Sequence, residues 1–135
     1  KLAAPVEVIA AGETRKLAGI DVKAVPAYNT DKKFHPRADG KVGFVFVLAG
    51  VTYYHAGDTD RIPEMTGLGP DVAFLPVSGT YVMTADEAAA AARAIRPKVA
   101  IPMHYGSIVG SEADASRFAE LLAGSGIQVV VKRKE

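Results

Sequence analysis

Tyr53-Tyr54-His55-Ala56-Gly57-Asp58-Thr59-Asp60 is an acidic turn that follows a nearly continuous apolar run. From Val42 to Val51 the chain contains only apolar and small residues. This pattern predicts a buried strand, and the turn places Asp58 just beyond its carboxyl end. In α/β proteins this end of a strand is a common place for ligand sites. Asp58 is therefore a candidate metal ligand or catalytic carboxylate.

A second apolar stretch ends in a histidine. Val99-Ala100-Ile101 runs into Pro102-Met103-His104-Tyr105-Gly106. Zinc accepts both imidazole nitrogen and carboxylate oxygen, so Asp58 and His104 at neighbouring strand ends would form half of a metal site and would be its catalytic groups. The alternative is structural, with Asp58 satisfying turn amides and His104 hydrogen-bonded at a strand end.

A long polar loop from Ala27 to Gly40 carries a further histidine, His35. His35 is a candidate third metal ligand or substrate contact, although a lone loop histidine is more often solvated. His55 and Asp58 differ in strand parity, so their side chains should point to different faces, and we expect His55 to be structural. Three tyrosines flank the candidate loops and could line a pocket, with core or rim packing as the equal alternative: Tyr28, Tyr81 and Tyr105.

The length, charge and composition of the chain exclude several classes of protein and of metal site. The chain has 135 residues, which we expect to form one domain (1–135), and a formal charge of +1. It has no cysteine, which excludes disulfides and thiolate metal sites. No apolar run approaches the ~20 residues of a membrane span, and the start, Lys1-Leu2-Ala3-Ala4-Pro5, lacks a signal-peptide core, so we expect a cytoplasmic protein. Basic residues cluster only at Lys132-Arg133-Lys134, so we expect neither nucleic-acid nor membrane partners.

The order of predicted elements is a run of strands followed by β-α-β-α-β. Thr84 and Glu87 have the spacing of a capping box, and Ser111 and Asp114 open a second helix. We therefore expect an α/β (α+β) fold with one mixed sheet. The predicted elements are strands at Val6–Ala11, Glu13–Leu17, Ile20–Val25, Val42–Leu48, Val51–Tyr54, Asp71–Val77, Val99–Ile101 and Ile127–Val131, a short helical turn at Arg61–Met65, and helices ending before Pro97 and Gly124.

Three ordered motifs resemble the metallo-β-lactamase superfamily, in particular the small archaeal and bacterial metal-dependent hydrolases of its lactonase-like and UlaG-like branch. The motifs are Tyr54-His55-Ala56-Gly57-Asp58-Thr59-Asp60, Asp71-Val72-Ala73-Phe74-Leu75-Pro76-Val77-Ser78-Gly79 and Ile101-Pro102-Met103-His104-Tyr105-Gly106. Their order and spacing agree with the family over nearly the whole chain.

The resemblance implies roles for single residues. Asp58 takes the place of the carboxylate that bridges two metal ions, and His104 that of the last histidine ligand. Asn29 stands where the family often has a histidine, and His35 is the nearest one. The implied ions are Zn²⁺, or Mn²⁺ or Fe²⁺, two of them in the complete fold. Asn29, Tyr28 and Tyr105 are then candidate substrate-binding residues.

The resemblance covers only the carboxyl-terminal half of the family's four-layer αββα sandwich, with two helices on one face of the sheet. The His-x-His-x-Asp-His cluster of the other half is absent from the sequence. The implied activity is metal-dependent hydrolysis of an ester, lactone or phosphoester, and the chain alone should be nearly inactive. An exposed apolar sheet face should be covered by the missing half or by a second copy. The alternative is a non-catalytic remnant of the fold that oligomerises or binds a partner.

Overall fold

The computed structural model describes residues 6–132 and contains one seven-stranded sheet in which the strands follow their order along the chain. The strands are β1 (Thr14–Leu17), β2 (Ile20–Pro26), β3 (Val42–Leu48), β4 (Val51–His55), β5 (Val72–Pro76), β6 (Val99–Met103) and β7 (Gln128–Val129).

The sheet is mixed, as expected from the order of the elements. Strands β1 to β4 are antiparallel, and β4 to β7 are parallel. The first hairpin closes at Ala18 and Gly19, which both have positive φ as the two central residues of a tight hairpin turn require. Parallel strands need crossover connections, and here helices supply two of them.

Two helices cover one face of the sheet: α1 (Ala85–Ile95) and α2 (Glu112–Leu121). Helix α1 begins at the predicted capping box, in which the Thr84 side chain accepts from the Glu87 amide at 3.2 Å. Helix α2 follows Ser111, whose amide donates to the Asp114 carboxylate at 2.7 Å. The core between the helices and the sheet is filled by small helix residues and larger side chains, including Tyr54, Leu75, Ala88, Ala92 and Phe118.

The other face of the sheet has no covering element among residues 6–132, and it is apolar. Phe46 stacks on Tyr53 at 5.3 Å between ring centroids, and Tyr53 stacks on Phe74 at 6.5 Å. Towards the end of β3 the side chains are well exposed, with Leu48 at 51%. We call the face that carries Phe44, Phe46, Tyr53 and Phe74 the open face. One mixed sheet with two helices on one side confirms the predicted fold class.

Two predicted strands differ in the structure. Val6–Ala11 is not a strand: Val6 and Val8 are 68% and 77% exposed, and the segment joins no ladder. Its alternating pattern was too weak to specify a strand without a neighbour to pair with. The last strand is only Gln128–Val129, because it pairs with β6 at just two positions. No helix in residues 6–132 is long and apolar enough to span a membrane.

Candidate metal centre

Asp58 and His104 meet because of the parallel part of the sheet. Strands β4 and β6 run in the same direction on either side of β5, so the residues that follow them emerge at one edge. Contrary to the prediction from the sequence, the two strands are not direct neighbours, because β5 lies between them. The side chains nevertheless converge, and His104 Nε2 lies 3.6 Å from Asp58 Oδ1.

The turn that carries Asp58 is packed tightly against β3. A Cβ atom on Gly43 would lie 2.5 Å from the carbonyl oxygen of Ala56, a distance that real Cβ atoms do not show. Gly57 has a φ of +70°, the left-handed conformation that glycine adopts without strain. The turn Ala56-Gly57-Asp58 can fold back at this edge because Gly43 leaves room for the Ala56 carbonyl and Gly57 adopts a positive φ without strain.

His104 is held by Ser78, which follows β5. Ser78 Oγ lies 3.0 Å from His104 Nδ1. When Nδ1 carries the proton and donates to Ser78, the lone pair of Nε2 is free and faces Asp58. His104 also has a φ of +62°, an uncommon conformation for a residue other than glycine. Ser78 belongs to a quoted motif, but no sequence signal assigned it this contact.

His35 approaches the same carboxylate from the long loop. Its Nε2 lies 3.9 Å from Asp58 Oδ2, whereas His104 faces Oδ1. The Nδ1 atom of His35 is buried without a hydrogen-bond partner in the described residues. The two histidines thus face different oxygens of the Asp58 carboxylate. This geometry suits a carboxylate that is shared by two metal ions.

Asn29 shapes the loop that carries His35. Its side-chain nitrogen donates to the carbonyl oxygens of Phe34 at 2.9 Å and Tyr81 at 2.8 Å, and its backbone amide donates to the His35 carbonyl at 2.9 Å. Phe34 in turn packs edge-on against Tyr81, with 4.7 Å between ring centroids. The side-chain nitrogen of Asn29 therefore holds the loop, whereas its Oδ1 is buried without a hydrogen-bond partner in the described residues. The predicted contact of Asn29 with substrate stays a prediction.

Thr59 and Asp60 anchor the same loop from the acidic turn. Thr59 is fully buried and exchanges hydrogen bonds with the backbone of Tyr28. Asp60 accepts from the Thr30 amide at 2.8 Å and forms an ion pair with Lys32. Burial alone would raise the pKa of the Asp60 carboxyl, but Lys32 and Thr30 outweigh it and lower the pKa. Lys32 and this role of Asp60 were not predictable from the sequence, because a loop lysine gives no local signal of its partner.

The donor set fits a divalent ion in chemistry and nearly in distance. With metal–ligand lengths of about 2.0–2.2 Å, two ligand atoms of a tetrahedral site lie about 3.4 Å apart. The two pairs at 3.6 and 3.9 Å are slightly wider than this. Within residues 6–132, no group of three or more His, Cys, Asp or Glu side chains is arranged to hold a metal ion. The chain thus presents two histidine–carboxylate pairs that share Asp58, and not a complete ligand set.

Of the other residues considered in the sequence, Tyr105 lies beside the histidine–carboxylate pairs, and Tyr28 and His55 lie elsewhere. Tyr105 donates its hydroxyl to the Lys132 carbonyl at 3.1 Å and, with His104, lines a groove of about 200 Å³. The ring of Tyr28 lies in a different cleft, against Glu64 and Arg37. His55 lies against Phe74 at the open face, with 5.9 Å between ring centroids and the rings tilted by 32°, in keeping with a structural role.

Comparison with known proteins identifies the family. A model described as "Beta-lactamase superfamily domain" matches residues 1–104. A metal-dependent hydrolase of the UPF0173 group from Thermoplasma acidophilum is 38% identical over 128 residues, which are 92% of this chain and 57% of the relative. The chain therefore spans little more than half the length of this relative.

Solved structures agree with this relationship. A crystal structure described as a candidate metal-dependent hydrolase from Parabacteroides distasonis has a TM-score of 0.83 and 38% identity, covering 96% of this chain and 58% of that one. A candidate Zn-dependent hydrolase from Thermotoga maritima, itself ascribed to the metallo-β-lactamase superfamily, has a TM-score of 0.67 and 26% identity, covering 93% and 71%. The chain is similar to the UPF0173 metal-dependent hydrolases over about half of their length, and it belongs to the metallo-β-lactamase superfamily.

Proposed function

We propose that this chain supplies the Asp58 side of the metal site of a hydrolase that cleaves an ester, lactone or phosphoester bond in a small molecule. The observation that carries the proposal is that His104 Nε2 and His35 Nε2 face opposite oxygens of the Asp58 carboxylate. Its relatives described as metal-dependent hydrolases support the reaction class.

Asp58, His104 and His35 would hold Zn²⁺, or Mn²⁺ or Fe²⁺, with two ions in the complete site. When bound, such ions lower the pKa of a water molecule toward ~7 and so supply a nucleophile near neutral pH. Asp58 is 44% exposed at its side chain and is the most accessible of the three. Ser78 fixes the ring of His104, and the groove beside His104 and Tyr105 is a candidate place for substrate.

We propose that the remaining ligands come from outside this sequence. The two histidine–carboxylate pairs do not make a complete site, and relatives are nearly twice as long as the matched region. The apolar open face would then pack on the complementary half of the sandwich, so that this chain is its carboxyl-terminal half. A second copy of the chain is the other candidate for covering that face. Without the complementary ligands, the chain should hydrolyse substrates very slowly.

Metal titration of the untagged chain tests the proposal. Calorimetry with zinc chloride and with manganese chloride should show uptake by the wild type, and Asp58→Ala and His104→Ala should each weaken it by about tenfold or more. His35→Ala should also weaken binding, because His35 faces the second oxygen of Asp58.

Two variants serve as matched controls. Glu120→Ala removes an exposed carboxylate from helix α2, and Asp39→Ala removes an exposed carboxylate from the long loop. Both should bind metal like the wild type. Equal uptake by the wild type and Asp58→Ala would contradict the proposal.

A second candidate function is a non-catalytic module that oligomerises or binds a partner. It is favoured because the described residues contain no group of three or more His, Cys, Asp or Glu side chains arranged to hold a metal ion. In that case Asp58 would only cap its turn. The same titration separates the two functions, since the non-catalytic module would take up no metal at this edge of the sheet.

A further inference from the structure

A second cleft, of about 580 Å³, lies away from the metal centre. Its walls are strand β2 at Lys23 to Pro26, the end of the long loop at Arg37 to Lys41, and Glu64 with Leu68. Asp58, His35 and His104 do not line it. Clefts of 300–1,000 Å³ are typical of small-molecule sites.

One wall of the cleft is built by three interlocking side chains. The Tyr28 hydroxyl donates to Glu64 Oε2 at 3.1 Å, and Arg37 Nη2 donates to Glu64 Oε1 at 3.0 Å. The Arg37 guanidinium also lies 5.0 Å from the centroid of the Tyr28 ring. Both oxygens of Glu64 are therefore occupied, its charge is compensated, and the ring of Tyr28 is fixed. The wall is formed before any ligand arrives.

The charges that remain are positive. Three cationic side chains line the cleft, Lys23, Arg37 and Lys41, against the single carboxylate of Glu64. Arg37 is paired with Glu64, and Lys41 is 3.3 Å from Asp39. Lys23 has no ion pair within residues 6–132. The surplus favours an anionic group at the rim.

The interior of the cleft is apolar. Val25, Pro26 and Leu68 line it, and the half-buried Leu68 packs against the core. The rim is held in place by the backbone, because Ala27 donates to the Lys41 carbonyl at 2.9 Å and Gly12 donates to the Ala24 carbonyl at 2.9 Å. An apolar floor under a cationic rim is complementary to a molecule with a ring at one end and an acid group at the other.

We propose that this cleft binds a small organic anion with an aromatic or similar apolar body. The acid group lies at Lys23 and Lys41, and the ring lies on Pro26 and Leu68 beside Val25. The site is separate from hydrolysis. It nevertheless touches the loop that carries His35, because Tyr28 and Arg37 belong to the same loop.

Binding of naphthalene-2-carboxylate to the chain, after metal removal by chelation and dialysis, tests the proposal. Calorimetry should detect binding, and amide resonances of residues 23–28, 37–41 and 64–68 should shift in ¹H–¹⁵N spectra. Lys23→Glu should weaken binding by about tenfold or more, because it replaces a charge-assisted contact with repulsion. Lys16→Glu is the matched control: Lys16 pairs with Asp21 on the first hairpin, does not line the cleft, and should leave affinity unchanged.

Two ligands separate the contributions of charge and ring. Naphthalene-2-carboxamide, which lacks the charge, and inorganic phosphate, which lacks the ring, should each bind more weakly than the carboxylate. Equal affinity of the carboxylate for the wild type and Lys23→Glu would overturn the proposal. So would resonance shifts confined to Phe44, Phe46 and Tyr53, which would place the ligand on the open face. Because metal is absent, neither outcome depends on the hydrolytic function.

Discussion

The carboxylate of Asp58 is the point at which the candidate site is organised. Each of its oxygens faces one histidine, and those histidines come from different parts of the chain. Asp58 and His104 were predictable as a pair because both follow apolar stretches that end at a turn. The contact between Ser78 and His104 was not, because it depends on β5 lying between β4 and β6.

Ser78→Ala should lower the zinc affinity of the chain by about tenfold, because residues that orient a histidine ligand typically contribute that much. The imidazole of His104 would lose the partner of Nδ1, and its tautomer would no longer be fixed. Calorimetry measures the affinity, and ¹⁵N chemical shifts of the His104 ring report the tautomer. Ser78→Thr keeps a hydroxyl and should restore both properties at least in part. Unchanged affinity and tautomer in Ser78→Ala would refute this role.

Tyr54→Phe should stabilise the protein by about 1 kcal/mol. The Tyr54 side chain is fully buried, and its hydroxyl has no hydrogen-bond partner in the described residues. Burial also raises the pKa of this hydroxyl, as expected for a group cut off from water. Urea denaturation measures the change, and Tyr53→Phe on the half-buried open face is the control. A marked loss of stability in Tyr54→Phe would show that the hydroxyl has a partner.

At the scale of elements, the loop from Ala27 to Gly40 depends on the acidic turn. Asp60 holds Thr30 and Lys32, and Thr59 holds Tyr28. The same turn therefore presents Asp58 and secures the loop that brings His35 to it. Length and polarity identified this loop as a functional candidate, but its shape comes from contacts about 30 residues apart in sequence.

Asp60→Ala should destabilise the protein by about 2–3 kcal/mol and loosen this loop, because it leaves the partly buried Lys32 ammonium without its main partner. Hydrogen exchange should become faster at residues 29–36, while the helices keep their protection. Asp31→Ala is the control, since Asp31 lies 3.4 Å from Lys32 but is 75% exposed. Equal exchange in both variants would contradict the anchoring role of Asp60.

The helices were predictable from their capping residues, which act locally. The strands were less predictable, because each depends on pairing with a neighbouring strand. The capping residues Thr84 and Ser111 marked both helices correctly, because a cap acts within one helical turn. Val6–Ala11 was wrongly predicted as a strand, and the final strand was predicted too long. A strand exists only where a neighbour pairs with it, and composition does not reveal that neighbour.

At the scale of the molecule, the sheet has a packed face and an open one. The apolar run from Val42 to Val51 predicts a strand that is covered on both sides, but the helices cover only one side. Phe44, Phe46, Tyr53 and Phe74 remain partly exposed on the other side. A monomer rarely exposes a continuous apolar surface of more than a few hundred Å². We therefore propose that a partner covers the open face.

The isolated chain should self-associate through the open face, so light scattering should give a mass above 14.2 kDa. Phe46→Lys places a charge at the centre of that face and should lower the mass to that of one chain. Ala113→Lys, on the exposed side of α2, should leave the mass unchanged. A wild-type chain that is folded and monomeric would contradict the expectation that the open face needs a cover.

The position of a bound ion is the most direct test of the account. Crystals of the chain soaked in zinc chloride should show an anomalous peak about 2.0–2.2 Å from a carboxylate oxygen of Asp58 and from His104 Nε2. A second peak between Asp58 and His35 would extend this to two ions. Zinc bound only elsewhere, for example at His55, with nothing beside Asp58, would contradict the account.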